Sequence, residues 1–193
     1  MAKRLDQILT IDLESTCWDG DPPAGEVSEI IEIGICPVDV QSGKRMEKES
    51  IMVRPVKSKI SPFCTQLTTI TQADVDKGIP FTDAIKILEK KYDLKNRTMA
   101  SYGDYDRIQL GKDSSLHNVQ SPVGKTHLNV KNLAALMNGW TKEVGMDECL
   151  KKMGLPLVGT HHRGSDDAFN IASIMIALLF ERGVTDVPTK SEA

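Results

Sequence analysis

Asp12 and Glu14 stand two residues apart in a run where Leu9, Ile11 and Leu13 alternate with Thr10, Asp12 and Glu14. An alternation of period two is the mark of a strand with one buried face, and it places both carboxylates on the other face, about 7 Å apart along the chain. Two like charges on a half-buried surface repel each other and resist losing their water, so something must compensate them. A divalent cation would do so, and hard oxygen ligands select Mg²⁺ or Mn²⁺. A wet edge strand would also do, and the pair alone leaves both readings open. A second acidic cluster is Ser101-Tyr102-Gly103-Asp104-Tyr105-Asp106, and a third is His161-His162-Arg163-Gly164-Ser165-Asp166-Asp167. Carboxylates just ahead of a helix are often caps. Capping does not account for two adjacent histidines in a chain that has four.

The elements that must carry these residues follow from periodicity. Strands are expected over 7–14, over 29–40 (Ile30, Ile31, Ile33, Ile35, Val38), over 50–54 and over 98–102, with a turn at Gln41-Ser42-Gly43-Lys44. Helical spacing is expected over 71–77, where Asp74 follows a Thr71 cap, and over 82–92, 105–110, 129–137, 147–153 and 167–181, the last closing at Gly183. A meander of three strands followed by alternating strands and helices implies a mixed sheet with helices packed on it.

Composition bounds the rest. The 193 residues, 40% hydrophobic and 26% charged, suit one domain over 1–185 with a loose tail over 186–193. The longest apolar stretch, 171–180, is interrupted by Ser173 and falls short of the ~20 residues that a membrane span needs. The N-terminus has no apolar signal core, so a cytoplasmic protein without membrane contact is expected. Cys17, Cys36, Cys64 and Cys149 form no Cys-x-x-Cys pair, which argues for reduced, packed thiols rather than a zinc knuckle. A net charge of −3 excludes a protein that coats long duplexes and suits a small footprint, such as one strand end. The basic run Lys86, Lys90, Lys91, Lys95 and Arg97 reads as a solvated helix face.

Taken in order, the motifs are Ile11-Asp12-Leu13-Glu14-Ser15-Thr16-Cys17-Trp18, Glu29-Ile30-Ile31-Glu32-Ile33-Gly34, Ser61-Pro62-Phe63-Cys64-Thr65-Gln66-Leu67-Thr68, Asp104-Tyr105-Asp106, and the histidine segment continuing as Ala168-Phe169-Asn170-Ile171-Ala172. Together they resemble the DEDDh exonucleases, the histidine-containing branch of the DnaQ-like 3′→5′ exonuclease superfamily, and within it the ERI-1-like branch. The resemblance implies an α/β, RNase H-like fold: a five-stranded mixed sheet flanked by helices. It implies that Asp12, Glu14, Asp106 and Asp167 bind two Mg²⁺ ions, with Mn²⁺ able to substitute. The family's aromatic-Asp order selects Asp106 over Asp104. Its Asp-Ala-x-Asn-Ile-Ala continuation selects Asp167, and with it His162 as the general base, over Asp166 and His161. Asp104 and Asp166 are then left to cap helices or tune the field.

The same resemblance implies hydrolysis of single-stranded nucleic acid from its 3′ end, RNA favoured over DNA, releasing nucleoside 5′-monophosphates. Ser15 would hold the 3′-hydroxyl, and Trp18, Leu67 and Tyr105 would contact the last base, although core packing is the alternative for each of these three. Thr69 stands where relatives commonly have glycine, so the local turn is open to a different course. A DNA exonuclease or proofreading subunit, and a non-catalytic nucleic-acid-binding adaptor that keeps the fold, are the rival readings. A homodimer is compatible with all of them.

Overall fold

A computed structural model of the chain describes residues 4–181. The alternating run folds as β1 (Gln7–Ser15), which pairs antiparallel with β2 (Ile30–Asp39). Next come β3 (Lys44–Arg45), β4 (Glu49–Arg54), α1 (Pro62–Thr68), α2 (Gln72–Asp76), β5 (Ile79–Pro80) and α3 (Phe81–Lys90). The remainder is β6 (Thr98–Ser101), α4 (Tyr105–Leu116), β7 (His127–Asn129), α5 (Val130–Met137), α6 (Met146–Met153) and α7 (Gly164–Ile176), which runs on into a π-helical turn, Ala177–Glu181.

The sheet is mixed, and its order is β5-β4-β2-β1-β6-β7 with β3 paired to β2. It therefore has seven strands rather than five. Beyond the four strands that periodicity marks, β3, β5 and β7 are two or three residues long, too short to leave a period in the sequence.

Leu9, Ile11 and Leu13 pack with Phe81, Leu88 and Leu110 on one face of the sheet. The other face is covered by α7, where Ala168 and Ala172 meet Cys36 and Val38. Thr10 faces the same way and donates its hydroxyl to the carbonyls of Cys36 (2.5 Å) and Ala168 (2.9 Å).

Two helix boundaries bear on the site. α1 had no apolar period to announce it. It begins because the Ser61 side chain accepts the Cys64 N–H at 2.9 Å and Pro62 supplies a preset first turn. It ends at Thr69, which with a φ of 64° occupies the left-handed conformation that glycine takes without strain. α4 extends to Leu116, six residues beyond the expected end. The basic run divides: Lys86 and Lys91 pair with Asp83 and Glu49, whereas Arg97 is buried and donates to Asp6 at 2.9 and 2.7 Å. All four cysteines are free thiols. No helix among the described residues is long and apolar enough to cross a membrane. Gly183 and the tail over 186–193 lie outside the described residues.

One contact fixes α7 on the sheet. A Cβ added to Gly34, which faces Asp12 across the β1–β2 ladder, would lie 1.9 Å from the Gly164 carbonyl carbon and oxygen. A Cβ on Gly164 would lie 3.0 Å from the Gly34 nitrogen. The two backbones touch directly, and only the absence of side chains permits it. Gly34→Ala should therefore destabilise the protein by about 1–3 kcal/mol or more, measured by urea unfolding, and should lower activity with it. Wild-type stability in that variant would show that the contact can relax at no cost.

Candidate active site

Each element delivers its part to one cavity of about 350 Å³, lined by Asp12, Glu14, Asp106, His161, His162 and Asp167 among others. β1 contributes Asp12 and Glu14 from its helix-covered face. The first turn of α4 contributes Asp106, whose Oδ1 accepts the Leu13 N–H at 2.9 Å and so ties α4 to β1. The first turn of α7 contributes Asp167, which accepts the His162 backbone N–H at 2.8 Å. Oxygens of Asp12, Glu14 and Asp167 lie within 4.8 Å of one another.

The electrostatics are those of crowded like charges. Burial, followed by repulsion from Asp106, Glu14, Asp167 and Glu32, pushes the Asp12 carboxyl well above the usual range. Burial, then Asp167 and Glu32, pushes Glu14 up to about 8. Asp106 rises to about 6 through burial, tempered by the Leu13 N–H, and burial also raises Asp167. Convergent carboxylates that resist ionisation are a poor structural core and a good oxygen-rich cation site. Asp12, Glu14 and Asp167, whose oxygens converge, therefore fit a divalent ion and would be the ones to hold it, with Asp106 lining the same cavity.

The neighbouring acids separate from this group. Asp166 pairs with Lys48 and accepts the Thr160 N–H at 2.7 Å, and Asp104 accepts from Arg107 (3.4 Å) and Asn129 (3.2 Å). Asp104 sits at the N-cap of α4 but makes no side-chain cap bond.

Both histidines reach the cavity. Adjacent loop residues usually point apart, yet these rings stack with centroids 4.0 Å apart and planes at 22°. The cause is the φ of 64° at His162, a left-handed kink that turns the two side chains to one side. His161 Nδ1 lies 3.0 Å from Asp167. Burial, and then the neighbouring His161, lower the His162 pKa, so its ring is neutral at pH 7.

Of the four expected substrate contacts, Ser15, Leu67 and Tyr105 line the cavity. Leu67 and Tyr105 are exposed rather than packed in the core. The buried Ser15 Oγ has no hydrogen-bond partner among the described residues. Trp18 lines a second cavity with Phe63 and Gln66.

Glu32 has no assigned role in the sequence reading, and its position is informative. It lies opposite Glu14 on β2, fully buried, and accepts from Arg163 Nε (3.1 Å), the Gly164 N–H (3.0 Å) and Ser50 (2.5 Å). It fastens the histidine segment to the sheet. Its sequence signals were an acid inside an apolar strand and a place in the Glu29–Gly34 motif.

With this geometry in view, the exonuclease family RNase_T matches residues 9–175. The chain belongs to this exonuclease family. Its relatives include the 3′-5′ exonuclease Snipper of Drosophila melanogaster, 28% identical over 89% of this chain and 69% of that protein. ERI1 exoribonuclease 3 of Mus musculus is 31% identical over 92% of this chain. The chain spans about half the length of that relative, 55%. Among solved structures, the nuclease domain of 3′hExo, a DEDDh family member bound to rAMP, superposes with a TM-score of 0.80 at 27% identity, covering 95% of this chain and 96% of that one. This exonuclease is thus an ERI-1-like DEDDh hydrolase of the 3′→5′ class with an RNase H-like fold, and divalent metal dependence is general to that family.

The raised carboxyls give a pH signature. An acid whose folded pKa exceeds its unfolded value stabilises the fold while protonated, and that stability is lost as pH rises through the folded pKa. For Glu14 the window runs from its ordinary 4.5 up to about 8. In EDTA the melting temperature should therefore fall across this window, and Mg²⁺ or Mn²⁺ should restore it most at the alkaline end. A melting temperature that rises across the window and ignores the ions would contradict the crowded-carboxylate site.

Proposed function

We propose that this exonuclease removes nucleotides from the 3′ end of single-stranded nucleic acid, with RNA favoured over DNA, by a two-metal mechanism that releases nucleoside 5′-monophosphates. Asp12, Glu14, Asp106 and Asp167 would hold the two ions, and His162 would be the general base. The convergence of Asp12, Glu14 and Asp167 within 4.8 Å, on elements far apart in sequence, is the observation that carries this reading. When bound, two such ions would supply a water of lowered pKa and neutralise charge on the leaving 3′ oxygen.

The chain's own groups do the rest. His162, neutral at pH 7 because burial and His161 disfavour its charge, is ready to accept the proton of the attacking water. Asp167 accepts from the His162 backbone and faces His161 Nδ1, so the turn bearing the base is held by a ligand carboxylate. The orphaned Ser15 Oγ is a ready partner for the terminal 3′-hydroxyl. Leu67 and Tyr105 offer exposed apolar surface for a base without reading its sequence. Trp18, which lines a second cavity with Phe63 and Gln66, is the other residue we assign to contact with the last base. The preference for RNA rests on relatives named exoribonucleases and on the rAMP-bound 3′hExo domain. The presence of all four carboxylates and the histidine argues against an inert adaptor.

End-labelled single-stranded RNA and DNA, digested side by side, test the proposal. Activity should vanish in EDTA, and a 3′-phosphate should block it while a 5′ block should not. Cleavage of a circular substrate would overturn the directionality.

His162→Ala should lower the rate by roughly 10²–10⁴ with little change in metal affinity, because the ligands are carboxylates. His161→Ala should cost less. A severe loss at His161 with a mild one at His162 would reverse the assignment of the base. The wild-type rate should fall at acidic pH as His162 is protonated, and the midpoint should lie below the ordinary histidine value.

A further inference from the structure

The pairing of β1 with β2 slips by one residue where β1 enters the catalytic cavity. Glu14 faces Glu32, but Ser15 faces Ile30, so Ile31 is an extra residue on β2. The packing shows the same slip. Ile30 and Ile33 join the core around Leu13, whereas Ile31 is buried in a separate cluster with Cys64, Ile70 and Val75. A bulge of this kind bends the ladder and re-aims the side chains beside it. Here those side chains are Glu14 and Ser15, which both line the cavity.

One buried acid holds the slipped residue. The Ile30 N–H donates to Asp113 Oδ2 at 2.8 Å. Asp113 is 2% exposed, and its other oxygen accepts from Gln109 Nε2 at 2.9 Å, which also donates to the Ser28 carbonyl at 2.9 Å. A buried carboxylate is costly unless its oxygens are taken, and both of these are. Asp113 lies two turns beyond Asp106 on α4, and so on the same face of the helix. That face grips the strands on either side of the slip, the Leu13 N–H through Asp106 and the Ile30 N–H through Asp113. Past the slip the new register continues. The Thr16 N–H donates to the Glu29 carbonyl at 2.8 Å, and Thr16 Oγ1 accepts the Glu29 N–H at 3.0 Å.

We propose that Asp113 is a positioning residue for Ser15: by holding Ile30 it fixes the slipped register, and with it the place of the hydroxyl that meets the 3′-hydroxyl of the strand. The proposal rests on that reading of Ser15, and the experiment keeps the two claims apart. Two single-stranded RNAs are compared that differ only in ending with a 3′-hydroxyl or a 3′-deoxy nucleotide, and kcat/KM is measured on each with Mg²⁺. Lost stability or lost metal slows both substrates alike and leaves their ratio unchanged, so the ratio reports the hydroxyl contact. Asp113→Leu removes the acceptor. Asp113→Asn keeps an oxygen for the Ile30 N–H. Ser15→Ala is the control for the contact itself.

Wild-type protein should prefer the 3′-hydroxyl end by roughly tenfold, the worth of one hydrogen bond. Ser15→Ala should abolish this preference, Asp113→Leu should lose most of it, and Asp113→Asn should keep it. A preference that survives Asp113→Leu but not Ser15→Ala overturns the proposal and spares the reading of Ser15. An equal loss in Asp113→Leu and Asp113→Asn also overturns it, since charge and not the bond to Ile30 would then be the relevant property. No preference in the wild type, or one that survives Ser15→Ala, removes the Ser15 assignment and the proposal with it. If Asp113→Leu does not fold, Gln109→Met, which removes the amide that ties Asp113 to the Ser28 carbonyl, gives the same decision.

Discussion

Negative charge crowded into one partly dry cavity is the constraint around which this molecule is arranged. Asp12, Glu14, Asp106 and Asp167 come from three elements separated by most of the chain, and each raises the cost of ionising the others. A fold that gathers such groups must hold them against their own repulsion. It does so with backbone donors, the Leu13 N–H to Asp106 and the His162 N–H to Asp167, which stabilise a carboxylate without occupying all of its lone pairs. Remaining lone pairs face the cavity, where a hard cation can take them.

The fifth acid, Glu32, shows how the rest of the frame answers the same problem. It is buried next to the cluster and adds to its field, yet it is fully engaged by Arg163, Gly164 and Ser50. Removing one partner of such a buried pair leaves the other charge uncompensated, which is more costly than never having had the pair. The arrangement therefore couples the start of α7 to the centre of the sheet. Because Arg163 follows His162 directly, the same pair also limits where the proposed base can go.

Much of this was legible in the residues. The period-two run of β1 gave the strand and the face of Asp12 and Glu14, and the apolar helix after Asp167 gave α7. The Thr71 cap with Asp74 marked α2, which the structure closes as a reciprocal capping box. What escaped was short or non-periodic. β3, β5 and β7 hold two or three residues, and their pairing is dictated by neighbours, not by their own pattern. α1 is set by a cap and a proline, with few apolar positions. At the site, the choice of Asp106 and Asp167 came from family likeness, and geometry alone shows that Asp104 and Asp166 are engaged elsewhere. The stacked histidines were not foreseeable, since a left-handed φ at a histidine leaves no compositional trace. Nor was the place of Trp18 in a second cavity beside Phe63 and Gln66.

The meeting of Gly34 and Gly164 has a consequence for how such an enzyme can diverge. A contact between side chains can be renegotiated by exchanging one shape for another, so distances set that way drift as a sequence drifts. Here the spacing between the strand that carries Asp12 and the helix that carries Asp167 is set by peptide groups resting on each other, whose radii are the same in every protein. The interval works like a gauge block, indifferent to the identity of the surrounding residues. A chain built on it can replace most of its side chains while the two halves of its carboxylate set keep the same separation.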